Sequence, residues 1–376
     1  MKIPLVDLVA QNGDVADEIR AGWEDVLATG SFIGGPAVEE FEASYARFIG
    51  VDHCIGVANG TDAIEMALRA VGVESQSEVI LPANSFVATA EAVARIGAVP
   101  VLVDVDPVHS LIDPEKVAAA ITSSTRAIVP VHLYGQTAPV EALLPIAESC
   151  GAVIVEDAAQ SQGSLRFGRQ SGSLGTVAAT SFYPGKNLGA AGDAGAVLTN
   201  DPAIAQRTRM LGGHGSRVKY IHDIVGFNSR LDALQAVVLS AKLRRLTEWN
   251  RRRRDAAALY HQILQDFPTV SLPVVMDGND DVWHLYVVRV PERDTVLAAL
   301  QREGIGAAIH YPVPIHLTGA FSHLSYGPGS FPVAEQAAGE ILSLPLYPHI
   351  AAADQHLVAD RLRAALATME AAPLTA

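Results

Sequence analysis

The stretch Val153-Ile154-Val155-Glu156-Asp157 is a short apolar run of β-branched residues that closes on a carboxylate. Runs of this length that are rich in Val and Ile are typical of strands buried on both faces of a parallel sheet. An unpaired carboxylate at the end of a buried strand is costly, so Asp157 requires a partner that donates a proton or carries positive charge. The stretch therefore indicates a sheet in which Asp157 lies at the carboxyl end of a buried strand and can bind a ligand.

Similar apolar runs recur through the first two-thirds of the chain and alternate with helical patterns. The predicted strands are Cys54–Ala58, Glu78–Pro82, Val99–Val105, Ala127–His132 and Ala152–Glu156, and the predicted helices include Thr61–Val71 and Val87–Ile96. This alternation predicts an α/β fold built on a largely parallel sheet. Ligands of such sheets bind at the carboxyl ends of the strands. Because Asn59-Gly60-Thr61, Asn84-Ser85-Phe86 and Asp157 all fall at such ends, we expect a binding site there.

A loop that contains a lysine supplies a reactive group for this site. The loop is Ser181-Phe182-Tyr183-Pro184-Gly185-Lys186-Asn187-Leu188-Gly189, in which Pro and Gly predict a tight turn rather than a polar helix face. An amine, an acid and a hydroxyl are the groups needed to hold pyridoxal phosphate. Lys186 would form the Schiff base, Asp157 would face the ring nitrogen and Ser181 would bind the phosphate. Burial beside the cofactor would lower the pKa of the lysine and make imine exchange practical near neutral pH.

Several of these residues also fit ordinary structural roles. A salt bridge or a helix cap accounts for a carboxylate such as Asp157, and Gly60-Thr61 fits a plain helix start as well as an anion site. Phe86 fits the core as well as a stacking position on a cofactor ring. Gln160 fits either a contact with the cofactor or a position facing solvent. His310-Tyr311 fits either a contact with a polyhydroxy substrate or simple aromatic packing.

Composition excludes some classes of protein. The chain has 376 residues and a net charge of −14, which disfavours nucleic acid and anionic membranes as partners. Its two cysteines fit buried thiols in a reducing cytoplasm rather than a disulfide scaffold. We find no apolar core of a signal peptide near Met1–Asp7 and no run approaching the ~18 residues of a membrane span. The histidines lack paired metal spacing, so we expect no catalytic metal.

The last third of the chain predicts a second domain. A long helical pattern over about Leu231–Leu264 leads into it, and its four arginines, Arg251–Arg254, are scattered around the helix surface. The further predicted strands are Trp283–Val290 and Gly306–His310, and the further predicted helices are Asp294–Arg302, Val333–Leu342 and Ala353–Met369. We therefore divide the chain into a large cofactor-binding domain, residues 1–245, and a small α+β domain, residues 246–376. Residues Ala371–Ala376 are expected to fray.

Seven segments in a fixed order make the chain resemble the DegT/DnrJ/EryC1/StrS sugar aminotransferases, a branch of the fold-type I pyridoxal-phosphate enzymes. The segments are Ala58–Ala63, Pro82–Thr89, Val131–Gln136, Glu156–Gln160, Ser181–Gly189, Asn228–Asp232 and Ile309–Pro312. The similarity covers nearly the whole chain. It implies a large domain with a mostly parallel mixed sheet flanked by helices, together with a smaller C-terminal α+β domain.

The resemblance also implies roles for single residues. Lys186 matches the lysine that carries the Schiff base and moves the proton, Asp157 the partner of the pyridine nitrogen, and Gln160 the residue near the ring hydroxyl. The other implied cofactor residues are Gly60, Thr61 and Ser181 at the phosphate, Phe86 on the ring, and Asn228, which reaches the phosphate from the neighbouring subunit of an obligatory homodimer. The residues implied for the sugar are Tyr183, Lys219, His310 and Tyr311.

Within the family, Val131–Gln136 and Ser181–Gly189 are most similar to enzymes that act on dTDP-linked 3-keto-6-deoxy sugars and take the amino group from L-glutamate. Two departures from the family pattern lie on either side of Lys219, in the loop that the resemblance implies for the substrate. Gly213 stands where Asn or Asp is usual, and Phe227 stands where Tyr is common. A 4-keto sugar nucleotide or a ketocyclitol is therefore the alternative substrate. An inactive regulator or scaffold that binds pyridoxal phosphate is the alternative of another class.

Overall fold

Helices and short strands alternate along most of the chain in the computed structural model, which describes residues 2–370. The helices are α1 (Leu8–Gly13), α2 (Ala16–Thr29), α3 (Pro36–Ile49), α4 (Gly60–Ala70), α5 (Val87–Ile96), α6 (Pro114–Ala120), α7 (Val140–Cys150), α8 (Pro202–Gly212), α9 (Ala233–Leu264), α10 (Arg293–Arg302), α11 (Pro332–Glu340) and α12 (Ala352–Glu370). The strands are β1 (His53–Val57), β2 (Glu78–Pro82), β3 (Val99–Val103), β4 (Thr125–Ile128), β5 (Val153–Asp157), β6 (Leu165–Arg166), β7 (Arg169–Gln170), β8 (Val177–Ser181), β9 (Gly195–Thr199), β10 (Ser216–Val218), β11 (Ile221–His222), β12 (Asn279–Asp280), β13 (Tyr286–Arg289) and β14 (Ile341–Leu344). The expected fraying of Ala371–Ala376 concerns residues outside the described range.

Seven strands form the central sheet in the order β1-β9-β8-β5-β4-β2-β3. The pairs from β8 to β3 are all parallel, whereas β9 is antiparallel to both of its neighbours. Neither β8 nor β9 is among the strands that we predicted from the sequence. The prediction of an α/β fold with a mostly parallel mixed sheet is confirmed.

The register of the sheet brings three strand ends to one edge. Val57 pairs with Gly195, and Gly195 pairs on its other side with Ser181. One strand further, Asp157 pairs with Ala179. The helix start that follows β1 therefore meets the ends of β5 and β8 at the carboxyl edge of the parallel strands, which is where such sheets bind ligands.

Both faces of the sheet are buried, and alternate residues pack on opposite faces. Val79 and Leu81 belong to one core cluster and Ile80 to another. Val155 and Ile154 on β5 divide in the same way. The two-residue period of a strand explains the division, and burial on both faces explains why these runs are almost continuously apolar.

Helix α9 links the sheet to a second core. Its first half packs in a cluster with α3, and its last turns pack through Tyr260 and Leu264 against β13, β14, α10 and α12. The helix is continuous across residue 245, so the domain boundary that we predicted there falls inside it. The division into residues 1–245 and 246–376 stays a prediction. Between residues 2 and 370, no helix has the length and apolar character needed to cross a membrane.

One predicted element of the last third is wrong, and the end of another is misplaced. Gly306–His310 forms no strand but a single bridge between Ala308 and Ser343, because the chain bends at His310 and pairs no further. The predicted helix Val333–Leu342 ends at Glu340, and the next four residues form β14. An apolar run is ambiguous between helix and strand, and here pairing with β13 decides the outcome.

Candidate active site

A cavity of about 850 Å³ opens at the carboxyl edge of the sheet. The start of α4, the Ser85–Thr89 segment, the end of β5 and the Ser181–Lys186 loop form one side of it. Residues 284–285 and 310–311, from the region after α9, form another side. The site therefore lies where the sheet meets the second core, as small-molecule sites often do.

Asp157 lies at the base of this cavity and is buried, with 5% of its surface exposed. Its Oδ2 accepts a hydrogen bond from the Thr89 hydroxyl at 2.8 Å, and its Oδ1 accepts one from the Ala159 N–H at 3.2 Å. The pKa of Asp157 is raised, because burial outweighs these hydrogen bonds and the charge of Lys186. The carboxyl group can therefore still gain from a cationic donor in the cavity.

Behind Asp157, its neighbour Glu156 points to the opposite face of β5 and holds the strand end in place. The Nδ1 of His132 accepts the Ala138 N–H at 3.0 Å, so the ring proton lies on Nε2, which donates to Glu156 at 2.8 Å. Three backbone N–H groups between residues 172 and 175 also donate to this carboxylate. Burial raises the pKa of Glu156, but these donors outweigh it, and the pKa lies below its ordinary value.

Lys186 stands on a tight loop beside the cavity. Its backbone N–H donates to the carbonyl of Tyr183 at 2.8 Å, which closes the turn. A Cβ on Gly189 would collide with the backbone of Pro184, so only glycine permits this return of the chain. Burial lowers the pKa of Lys186 to about 8, and the charge of Asp157 opposes part of that effect. Near neutral pH a part of this lysine is therefore an uncharged nucleophilic amine.

An anion cradle lies between the start of α4 and the end of β8. Asn59 caps α4 by accepting the Asp62 N–H at 2.8 Å, which leaves the first N–H groups of the helix free for a ligand. A Cβ on Gly60 would lie only 2.5 Å from the Cβ of Ser181. The absence of a side chain at residue 60 thus lets the helix start and the Ser181 hydroxyl approach the same point.

An aromatic wall closes the side that faces the second core. The rings of Phe86 and Tyr311 lie 5.1 Å apart, and half of Phe86 is exposed to the cavity. The Gln160 amide donates to the Tyr311 hydroxyl at 3.1 Å and accepts the Tyr134 N–H at 2.8 Å. Burial raises the pKa of Tyr311, so its hydroxyl stays protonated. Burial and the charge of Lys186 lower the pKa of the neighbouring His310 to about 4.

These groups fit pyridoxal phosphate. The cradle of Gly60 and Ser181 suits a phosphate, the buried Asp157 suits a protonated pyridine nitrogen, and Lys186 supplies an amine in the same cavity. Within residues 2–370, no group of three or more His, Cys, Asp or Glu side chains is arranged to hold a metal ion.

A comparison with protein families gives the class of protein. The model described as the DegT/DnrJ/EryC1/StrS aminotransferase family matches residues 14–363, which include every site residue named above. The chain belongs to this family. The aminotransferase uses pyridoxal phosphate as its cofactor, as the sequence predicts.

The similarity to known proteins covers almost the whole length of the aminotransferase. It is 47% identical over 361 residues to the erythromycin biosynthesis sensory transduction protein EryC1 of Saccharopolyspora erythraea, covering 96% of this chain and 98% of that protein. It is 44% identical over 362 residues to the dTDP-3-amino-3,4,6-trideoxy-alpha-D-glucose transaminase of Streptomyces venezuelae, covering 96% of each. The crystal structure of S. venezuelae DesV in complex with a ketimine intermediate matches at a TM-score of 0.94 and 45% identity, covering 96% of this chain and 98% of that one.

The fold brings most of the predicted site residues of the aminotransferase together. The cavity is lined by Gly60, Thr61, Phe86, Asp157, Gln160, Ser181, Tyr183, Lys186, His310 and Tyr311. Lys219 and Asn228 do not line it. Lys219 is exposed in the turn between β10 and β11, and Asn228 is exposed after that hairpin. The roles of all these residues stay predictions.

Sequence reasoning missed several residues of the aminotransferase site. Thr89 contacts Asp157 from 68 positions away, and His284 lines the cavity from the segment before β13. Thr89 lies within a segment that carries the family resemblance, which was the one available signal. His284 lies in an apolar stretch that marks it only as a strand residue.

Proposed function

We propose that the aminotransferase moves the amino group of L-glutamate onto the C3 ketone of a dTDP-linked 3-keto-6-deoxy sugar. The product would be an amino sugar for a natural product or a polysaccharide. The observation that carries the proposal is the meeting of the Lys186 amine, the Asp157 carboxyl group and the Gly60–Ser181 cradle in one cavity. The name of the S. venezuelae relative, a transaminase for a 3-amino sugar joined to dTDP, supports the position of the ketone.

Bound pyridoxal phosphate supplies an electron sink for the charge left when a proton departs from the amino-bearing carbon. Lys186 takes that proton from the donor and returns one to the sugar carbon, and a pKa of about 8 suits both directions near neutral pH. Asp157 would keep the ring nitrogen protonated, and Phe86 would pack against the ring. The helix start and Ser181 would hold the phosphate.

The sugar would lie between the two sides of the cavity. Tyr183, His310 and Tyr311 line the cavity and would contact its hydroxyl groups. Because the pKa of His310 is about 4, its ring is neutral at working pH and suits a hydroxyl group rather than an anion.

A second copy of the chain would complete each site. The β10–β11 hairpin and the loop after it expose apolar side chains to solvent, with Tyr220 at 81% and Val225 at 95% exposure. Exposed apolar groups of this kind mark protein interfaces. Lys219 and Asn228 lie on this same segment, outside the cavity of their own subunit, so a homodimer would carry them to the neighbouring cavity.

The proposed place of action is the cytoplasm. Cys54 and Cys150 are both free thiols, which suits a reducing compartment.

The test is an assay of the pure protein with L-glutamate and, in turn, matched 3-keto and 4-keto dTDP sugars and a ketocyclitol. Product mass and NMR would locate the new amino group. We expect it at C3, with 2-oxoglutarate formed in equal amount. Turnover of the 4-keto sugar or a ketocyclitol alone would overturn the proposed substrate.

The Lys186→Ala variant is the control for the chemistry. We expect it to keep its circular dichroism spectrum but to lose turnover and the visible absorbance of the bound cofactor. Retained turnover would contradict the role of Lys186.

A regulatory function is the second candidate, because the 47% identical relative is named a sensory transduction protein. Cofactor binding without turnover of any keto sugar in the same assay would favour it.

A further inference from the structure

His284 is a titratable residue of the cavity with no role in the proposal so far. It lies just before β13, is 8% exposed, and lines the same cavity as Lys186. Its Nδ1 lies 3.1 Å from the side-chain oxygen of Asn187, the residue that follows the lysine. The imidazole and the lysine loop are therefore tied together.

The proton positions of this contact follow from backbone carbonyls, which can only accept hydrogen bonds. The Asn187 Nδ2 group donates to the carbonyl of Val282 at 3.0 Å and to Oδ1 of Asn250 at 2.9 Å. The Asn250 amide is fixed in turn, because its own Nδ2 donates to the carbonyl of Gln162 at 2.9 Å. With both of its N–H bonds used, Asn187 presents its oxygen to His284. The Nδ1 atom of His284 must therefore be the donor.

The second ring nitrogen is left as an acceptor. Burial, together with the charges of Lys186, Arg253 and His310, lowers the pKa of His284 well below its ordinary value, so the ring is neutral. With its proton on Nδ1, the ring has an unprotonated Nε2. This atom has no hydrogen-bond partner among residues 2–370. It is not fully buried, and His284 lines the cavity, so the atom is open to the cavity.

We propose that His284 is a positioning residue for the catalytic lysine: when the cofactor occupies the cavity in its pyridoxamine form, Nε2 of His284 accepts a hydrogen bond from the Lys186 amino group. This inference rests on the proposed function. The amide pair Asn187–Asn250 fixes the tautomer, and His284 fixes the direction of the amine. The lysine is thereby held in the cavity, rather than left to rotate, while it carries a proton between the two substrates.

Two substitutions at His284 test the roles of the two ring nitrogens separately. His284→Asn places an amide near the position of Nδ1 and keeps a donor for Asn187, but it removes the acceptor at Nε2. His284→Gln reaches the position of Nε2 with its carbonyl oxygen and restores that acceptor. His316→Asn is the matched control, because His316 is a buried histidine that binds Glu335 away from the cavity.

The measurement is the pKa of the Lys186 amine in the full-length enzyme converted to its pyridoxamine phosphate form by glutamate. Trace acetylation with acetic anhydride at a series of pH values, read by mass spectrometry of the Lys186 peptide, gives that pKa. A neutral acceptor stabilises the ammonium form more than the amine, so its loss should lower the pKa. The titratable groups around the amine are Asp157, His284 and His310, and the substitutions at residue 284 remove only the second of them.

We expect His284→Asn to lower the pKa of Lys186 by up to about one unit and kcat by about tenfold, with KM changed much less. His284→Gln should restore both values, and His316→Asn should leave both unchanged. An unchanged Lys186 pKa, or a rise in KM for the sugar alone, would overturn the inference and make His284 a substrate contact. Because the pKa is read without any sugar, this outcome is independent of whether the proposed substrate is correct.

Discussion

At the scale of single residues, the acid at the base of the cavity depends on a hydroxyl relay. The Thr89 hydroxyl donates its hydrogen bond to Asp157 at 2.8 Å. It can therefore only accept a hydrogen bond from the Ser85 hydroxyl, which lies 2.7 Å away. Burial raises the pKa of Asp157, and Thr89 counteracts that effect. The relay therefore keeps more of the carboxyl group ionised for its partner.

Replacing Thr89 with Val should raise the pKa of Asp157 further and weaken cofactor binding by about tenfold, since one hydrogen bond to a charged group is lost. Titration of the apo-enzyme with pyridoxal phosphate, followed by visible absorbance, measures the affinity. Thr89→Ser should bind almost normally. Thr208→Val is the control, because the Thr208 hydroxyl bonds only to the Ile204 carbonyl within its own helix. Equal affinities in all four proteins would contradict the relay.

At the scale of elements, helix α9 fastens the lysine loop as well as joining the two cores. The Lys242 ammonium is buried and donates to the carbonyl of Gly189 at 2.8 Å. Asn250, two turns further, holds Asn187. One helix thus holds both Asn187 and Gly189, which follow the lysine in the loop. This explains how a short loop rich in glycine can place the Lys186 amine accurately.

Lys242 should give the enzyme a measurable pH dependence of stability. Burial lowers its pKa in the folded state to about 8 from an ordinary value of 10.5. Between these values the unfolded chain binds more protons, so the free energy of unfolding should rise with pH, by up to about 2 kcal/mol between pH 7.5 and 9.5. Lys242→Met should lack this rise. Urea unfolding of the wild type and of Lys242→Met at the two pH values tests this prediction. An equal change in the free energy of unfolding in both proteins would show that Lys242 is not the cause.

Helix α11 starts on a carboxylate from the sheet. Asp104, which follows β3, accepts the N–H groups of Val333 and Ala334 at 2.9 Å each. Because Asp104 is 7% exposed, few water molecules can replace it as the acceptor. This contact fastens α11, and through it β14, to the edge of the sheet.

Asp104→Ala should therefore lower the free energy of unfolding by about 1–2 kcal/mol, the usual cost of a lost helix cap at the upper end of its range. Chemical denaturation measures the change. Asp113→Ala, which removes the cap of the exposed helix α6, is the matched control and should cost less. A larger loss at Asp113 would show that burial does not set the value of these caps.

At the scale of the whole molecule, the question is whether each site belongs to one chain or to two. Lys186 lies in the cavity of its own subunit, whereas Asn228 is exposed on a segment that also presents Val225. If sites are shared, a substitution at Lys186 damages the subunit that carries it, and one at Asn228 damages the neighbour.

Hybrid dimers with two purification tags distinguish the cases. A hybrid of a Lys186→Ala chain with an Asn228→Asp chain keeps one intact shared site and should show about half the wild-type activity. A hybrid of a wild-type chain with a chain that carries both substitutions should be nearly inactive. The same two substitutions are present in both hybrids, so only their distribution differs. The reverse order of activities would mean that each chain completes its own site.

The sequence determined the type of fold and the local chemistry, because both depend on neighbours along the chain. Apolar runs predict the strands, and a lysine between proline and glycines or a carboxylate closing a strand can be recognised without any tertiary contact. The order of the strands, including the antiparallel β9, was not visible, because pairing depends on packing over the whole sheet.

Which distant groups share the cavity depends on how the folded chain packs. Thr89 meets Asp157 across 68 positions, and His284 meets Asn187 across 97. No local pattern marks such pairs, because a hydrogen bond forms wherever packing brings a donor and an acceptor within about 3 Å. The tautomer of His284 is likewise fixed by the Asn187 and Asn250 amides, and the backbone carbonyls of Val282 and Gln162 orient those amides. A backbone carbonyl is the same in every residue type, so the sequence carries no signal of this arrangement.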